Sequence, residues 1–470
     1  MCKARLPAKK HVALRITMKS TLPKKVIVRP RAKGTPPPVM KKIGWSSAAA
    51  IVVANMIGTG AFTSLGLQLQ SLQNTWAVLS LWVFGGLISL FGAFSYAELG
   101  TRFPRSGGEY HFLSKLYHPF IGYLSGWVSL TVGFAASVAL SAMAMGAYLV
   151  AYIPLSGKII AALAILSVSI VHSYSIRQSS RVQNFLTIVK IGLVLLFIVS
   201  AFVMEPDQNA IDWSGGWQDE LFSPSYAVAL VYVMYAFSGW NAAAYIVDEI
   251  KSPRLNLPKA LIGGTLLVSV LFVLLQWAFL RQASVTQLQN NVEVGQIVAH
   301  LMYGTQGGQL VSGLIALLLI AGISAMTWVG PRVTRTMASD YSVWQSFARD
   351  NQYGIPVRAT WLQTLISLFM VLTSSFEQVL IYSGFVLQLF TTLTVAGVFI
   401  GRRQNNSKQY YRSPGYPWIQ IIYLAFSIWM LIYLMIDQPY ESLMGLSNLV
   451  IGAISYWWSI KRSHIDPGQA

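Results

Sequence analysis

The stretch Ile51-Val-Val-Ala-Asn55-Met-Ile-Gly58-Thr59-Gly60-Ala-Phe62 is apolar enough for the interior of a bilayer, yet it sets two glycines around a threonine at its centre. Glycine costs a helix interior about 1 kcal/mol relative to alanine, and hydrocarbon offers no water to take up freed backbone groups. A second apolar stretch, Tyr235-Ala-Phe-Ser238-Gly239-Trp240-Asn241, again has small and polar residues at its centre. Irregular backbone at membrane depth persists only where it is buried in protein or lines a cavity. The bland reading of such glycines is close helix packing of the small-xxx-small kind. Two breaks, in the first and sixth apolar segments, point instead to a binding site between two repeats of inverted topology.

The surrounding sequence supplies the membrane. Of 470 residues, 54% are hydrophobic and 11% charged, with a mean hydropathy of +0.53. A soluble domain carries about 25% charged residues, and a membrane helix needs about 20 apolar ones. These values exclude a soluble enzyme, a disordered chain and a single-span receptor with a large ectodomain. Twelve apolar segments are readable, near 43–68, 73–98, 120–152, 156–174, 183–204, 223–248, 258–281, 306–335, 359–375, 378–401, 416–437 and 440–460. The expected fold is therefore an all-α polytopic membrane protein. Its units are a first repeat at 43–204, a second at 223–401, two extra helices at 416–460 and a short tail at 461–470. A single cysteine, Cys2, excludes a disulfide framework and a Cys-based zinc site.

The net charge of +18 suggests nucleic acid until its position is considered. Residues 1–42 hold thirteen Lys or Arg and no acid, so most of the excess belongs to a tail and describes no binding face. That tail contains no apolar run of a secretory signal. It reads as a transit peptide or a lipid-binding basic arm, or as a disordered, over-extended start, since Met40-Lys41-Lys42 makes an ordinary beginning. The remaining charges alternate from loop to loop. Basic residues, among them Arg102, Arg105, Arg177, Lys251, Arg332, Arg402 and Lys408, fall after every second segment. The intervening loops hold Lys158, Arg281 and nine acids. Positive loops stay in the cytoplasm, so both termini are expected inside.

A half-helix starting after Gly58 exposes free N–H groups and the positive end of its dipole, which suits a carboxylate. A half-helix ending near Ser238 exposes carbonyls, which suit an ammonium group. A site presenting both is shaped for a zwitterion such as an α-amino acid. No acid lies at the centre of a segment to accompany a purely cationic substrate.

Longer motifs carry a resemblance. Ala54–Phe62, the run Ser95-Tyr-Ala-Glu-Leu-Gly-Thr-Arg-Phe-Pro-Arg-Ser-Gly-Gly-Glu-Tyr110, and Phe237-Ser-Gly-Trp-Asn241 continuing through Asp248-Glu-Ile-Lys-Ser-Pro to Pro258 resemble the amino acid–polyamine–organocation transporters. The resemblance covers about residues 43–460 and is strongest toward bacterial amino acid permeases and L-type amino acid transporters. It implies the leucine-transporter fold, a 5+5 inverted repeat. It implies a substrate carboxylate at Gly58, Thr59 and Gly60, and an ammonium group at carbonyls of Met56, Tyr235 and Ser238 beside Ala236. Tyr235 matches the aromatic that closes over substrate, and Asn241 the polar residue that orients unwound backbone. Several relatives carry glycine where this chain has Ser238, which narrows the pocket.

Lys190, in the apolar run Gln183–Val194, is the basic residue left over once the loops are assigned, and it sits within the fifth segment. Intramembrane charges are functional candidates by default, and the alternative is a lysine snorkelling to the interface. The resemblance implies that its ammonium stands where sodium-driven relatives hold an ion and that it couples transport to protons. Glu98 and Glu109 flank the basic loop after the second segment and read as solvated or interfacial anchors, with a gating salt bridge to Arg102 or Arg332 as the sharper alternative. Asp248 and Glu249 read the same way, and His172 as interfacial. Asn405-Asn-Ser407 has a glycosylation pattern on the cytoplasmic side. No metal-ligand spacing, P-loop or nucleophile elbow is present.

The expected function is secondary transport of amino acids, by proton symport or, alternatively, by sodium-independent exchange. An amine carrier and a non-transporting amino acid sensor are the more distant alternatives. The expected partners are amino acid substrate, protons and lipid, with no nucleic acid, cofactor, metal or enzymatic activity. The expected location is a bacterial inner membrane. Side-chain specificity and any accessory subunit are not legible.

Overall fold

The computed structural model describes residues 43–174, 180–206, 216–221, 223–352, 354–404 and 409–465. The basic tail, Cys2, Arg177, Lys408 and the Asn405–Ser407 pattern lie outside them.

The described residues are overwhelmingly helical. In chain order the main helices are α1 (Trp45–Met56), α2 (Gly60–Thr63), α3 (Thr75–Arg102), α4 (Glu109–Leu116), α5 (Pro119–Val128), α6 (Ala135–Leu149), α7 (Gly157–Tyr174) and α8 (Ser180–Val203). There follow α9 (Pro224–Ala236), α10 (Pro253–Gln282), α11 (Val294–Asp340), α12 (Val357–Thr373), α13 (Phe376–Gln404), α14 (Trp418–Asp437) and α15 (Pro439–Ile465). Ten helical stretches are long and apolar enough to cross a membrane, and α9 and α12 are shorter apolar helices. The protein is a polytopic, all-α membrane protein.

Local sequence sets the boundaries. Asn74 caps α3 by accepting the Trp76 N–H, Ser223 caps α9 ahead of Pro224, and His118 caps α5 ahead of Pro119. Helix α5 runs into α6 through a π-helical turn at Ser129–Phe134. Helix α11 bends at Gly304, whose φ of 71° lies in the left-handed region, so its long apolar part begins just beyond that residue.

Large apolar side chains point outward along several helices, among them Phe202, Val203, Phe369, Ile436 and Trp457. An exposed apolar surface of this extent is what lipid covers. Inside, α3 packs along α10, α1 along α10, and α6 along α11. Several interior polar groups pair with one another: Gln68 accepts from Trp82 Nε1 and donates to Ser64, and Gln388 donates to Ser427.

The packing buries three residues expected at the surface or interface, Glu98, Glu109 and His172. Glu98 is fully buried. Its carboxylate is held by Arg402 Nε and Nη2 at 2.7 and 2.6 Å and by the Ser413 N–H at 2.8 Å. Arg102 instead donates to Tyr410 and lies over its ring, and Arg332 lies over Trp328. Glu98 therefore fastens the end of α3 to α13 and the segment after it. Glu109 is also buried, because the turn before α4 folds back against the chain after the second break. His172, read as interfacial, is buried on α7 and bonded to Ser324 of α11 at 2.8 Å.

Candidate functional site

Helix α1 stops at Met56, where its hydrogen-bond ladder is rerouted. Ile57 N–H still bonds to Val53, but Gly58 N–H turns back to the Met56 carbonyl at 2.8 Å. In a continuous helix the Gly58 amide would bond to Ala54, so the Ala54 carbonyl loses its partner at the break. Lys190, 5% exposed on α8, supplies the replacement: its Nζ donates to the Ala54 oxygen at 3.3 Å. The lysine is a buried group committed to the broken backbone, and the snorkelling alternative is not what this structure contains.

The second break has the same form. Phe237 N–H bonds to Val233, Ser238 N–H turns back to Tyr235 at 2.9 Å, and Gly239 adopts a φ of +101°. The chain resumes as a 3₁₀ helix at Ala242–Glu249. Gly239 serves a second purpose, since a Cβ there would lie 2.9 Å from Asn55 carbonyl carbon. Reciprocally, a Cβ on Gly60 would meet the Ala236 Cα at 2.5 Å. The two breaks thus lie against each other, backbone to backbone, and only glycine permits it.

Met56, Thr59, Gly60, Tyr235 and Ala236 are buried there, and Gly58, Ser238 and Asn241 are half-buried. The Tyr235 hydroxyl bonds with the side chains of Thr59 and Ser137. The Met56 carbonyl accepts one amide, which leaves it a second lone pair, and the Tyr235 carbonyl accepts the amides of Phe237 and Ser238. Beyond the first break, the carbonyls of Thr59 and Gly60 take the hydroxyls of Thr63 and Ser64. The first N–H groups of α2 have no preceding helical carbonyl to bond. The close contact of the breaks brings these amides near the carbonyls of the second break. Among the described residues there is no group of three His, Cys, Asp or Glu fit for a metal.

Neighbours hold the second half of the broken helix in place. Gln276 of α10 donates to Ala61 O at 3.1 Å, and Asn290 N–H to Gly66 O at 3.0 Å. Tyr148 of α6, fully buried, donates to Phe62 O at 2.9 Å and accepts from Gly295 N–H at 3.1 Å. Tyr148→Phe is expected to leave the Gly295 amide unpaired and to lower stability by about 1–3 kcal/mol, read as a fall in melting temperature. An unchanged melting temperature would contradict the assigned hydrogen bonds. At the other end, Ile43 pairs with the chain after the second break through Ile43 N–H to Glu249 O and Lys251 N–H to Ile43 O, both 2.9 Å.

Sequence reasoning did not find Tyr148, Gln276 or Arg402. Gln276 had a signal, as a lone amide in the long apolar run of α10. Tyr148 had none, because nothing in its local sequence distinguishes it from a packing aromatic.

A bundle of apolar helices with two broken members in backbone contact, and a buried lysine on the first break, defines a polytopic membrane protein with irregular backbone at its centre. The family model described as amino acid permease matches residues 43–460. The chain belongs to that family, within the amino acid–polyamine–organocation superfamily, and its members are transporters and not enzymes. It is 26% identical over 436 residues to the serine/threonine exchanger SteT of Bacillus subtilis, covering 90% of this chain and 97% of that one. It is 27% identical over 448 residues to the large neutral amino acids transporter small subunit 2 of Oryctolagus cuniculus, covering 90% and 81%. It is 26% identical over 433 residues to the b(0,+)-type amino acid transporter 1 of Mus musculus, covering 89% and 88%.

Proposed function

We propose that this protein is a secondary active transporter of zwitterionic amino acids, working by alternating access around the two breaks. The observation that carries the reading is the Lys190–Ala54 contact. A fixed ammonium on the orphaned carbonyl does locally what a bound cation would otherwise do, so the first break keeps its shape without sodium. The amides of Gly58, Thr59 and Gly60 take the substrate carboxylate. The carbonyls of Met56, Tyr235 and Ser238 take the ammonium group, beside Ala236, while Tyr235 covers the substrate and Asn241 orients the chain beyond it. Residues 43–204 and 223–401 form the inverted repeats, and both termini lie in the cytoplasm of a bacterium. A gate formed by Glu98 runs through Arg402.

Two modes of energising fit. Proton symport follows from a buried lysine able to exchange a proton. Exchange of one amino acid for another is favoured by the name of the serine/threonine exchanger, which points to small neutral substrates. Proteoliposomes separate them. Uptake of a radiolabelled amino acid panel is measured with an inward proton gradient, and separately with internal amino acid and no gradient. Accumulation that follows the gradient establishes symport, and uptake that needs internal substrate establishes exchange. If neither condition moves any amino acid, the proposed function is wrong.

A further inference from the structure

The turn Ser106–Glu109 meets the chain after the second break at four successive residues, three of them through hydrogen bonds. Ser106 Oγ bonds to Asp248, and Gly107 N–H donates to Tyr245 O at 3.2 Å. Gly108, with a φ of +52°, lies so close to the Tyr245 ring that a Cβ would fall 2.6 Å from it. Glu109 Oε1 accepts from Asn241 Nδ2 at 3.2 Å and from the Tyr96 hydroxyl at 2.5 Å. The Tyr96 ring in turn meets Trp240 edge-on at 4.7 Å. Glu109 is 4% exposed, and among the described residues it makes no ion pair. The groups facing it are Tyr96 from α3, Asn241 and Tyr245 from the segment after α9, and Tyr423 from α14. On its own helix, His111 faces Arg105, Lys115 and Asp340.

We propose that Glu109 is a proton-responsive positioning residue: its carboxylate clamps Asn241, and with it the chain beyond the second break, to the 106–109 turn, and protonation loosens that clamp. The inference rests on the transport reading above and adds to it a control by the pH on the side of the turn. Hydrogen bonds to a carboxylate are roughly twice as strong as those to its neutral acid, and Asn241 sits two residues past Gly239, where the chain turns. Burial pushes the Glu109 carboxyl up to about 7, against the opposing pull of its bonds to Tyr96 and Asn241, so it titrates within the physiological range.

The test uses the full chain in two assays. In proteoliposomes with equal pH on both sides, so that no gradient drives uptake, wild-type transport is expected to rise roughly fivefold from pH 8 to pH 6, the factor between charge-assisted and neutral bonds. Glu109→Gln, which cannot titrate, flattens the profile, and Tyr96→Phe moves its midpoint to higher pH. The second assay needs no transport. A carboxyl raised by folding binds its proton more tightly in the folded state, so its contribution to stability falls as pH rises from about 4.5 to about 7. The melting temperature of Glu109→Gln is therefore expected to gain on that of the wild type across this interval and to run parallel above it. A pH profile left intact in Glu109→Gln, or a melting difference that does not change with pH, overturns the proposal. Failure of amino acid transport alongside a pH-dependent melting difference rejects the transport reading and leaves the titrating clamp standing.

Discussion

Lys190→Ala is expected to slow amino acid movement by about two orders of magnitude while the protein still folds. The ammonium lies 3.3 Å from a carbonyl that the first break has stripped of its helical partner. Removing it leaves that carbonyl buried and unpaired, at a cost of about 1–3 kcal/mol. A cavity also opens between α8 and α1. The backbone of Met56–Gly58 is then free to settle elsewhere, and a misplacement of about 1 Å at a binding site can cost roughly a hundredfold. Lys190→Met, which keeps the stem of the side chain but not its donor, separates the two causes: loss of the same size in both variants assigns the effect to the ammonium. The check is transport per mole of monodisperse protein in proteoliposomes. Wild-type rates in both variants would mean that Lys190 has no part in shaping the break.

Gly60→Val is expected to have an effect of similar size for a different reason. The first added carbon would lie 2.5 Å from the Ala236 Cα and 2.6 Å from its Cβ. The obstacle is backbone and cannot swing aside, so the two broken segments must separate. Overpacking of this kind costs about 1–3 kcal/mol in stability. It also parts the amides of the first break from the carbonyls of the second, so transport is expected to fall by about a hundredfold. Gly60→Ala gives a milder version if the valine variant does not fold. Transport at wild-type rate by a folded Gly60→Val would show that the close contact of the breaks is not needed for function.

The membrane class was legible because it rests on additive properties, hydropathy and length, and among the described residues ten helical stretches meet both. The breaks were legible for a related reason, since glycine beside threonine in an apolar run is conspicuous. Less legible were the partners. Glu98 and Glu109 read as solvated anchors because loop acids usually are, and only the fold brings Arg402, some three hundred residues away, onto Glu98. Glu109 is buried through Tyr245 and Asn241, which follow a break whose direction no periodicity encodes. Lys190 could be identified as exceptional, but its acceptor depends on the Ala54 carbonyl being orphaned, a consequence of the turn at Gly58. His172 was misread because position near a segment end says nothing about which helix packs over it.

The central claim is that the two breaks together read both charged ends of an amino acid. Competition binding measures this most directly: a radiolabelled substrate is displaced by the same amino acid, by its decarboxylated amine and by its deaminated acid. Each end meets several backbone groups, and a lost charged hydrogen bond costs about 1.5–3 kcal/mol. Both analogues are therefore expected to bind at least about tenfold more weakly than the parent. Equal displacement by the amine or by the acid would contradict the account, because one of the two breaks would then contribute nothing to recognition.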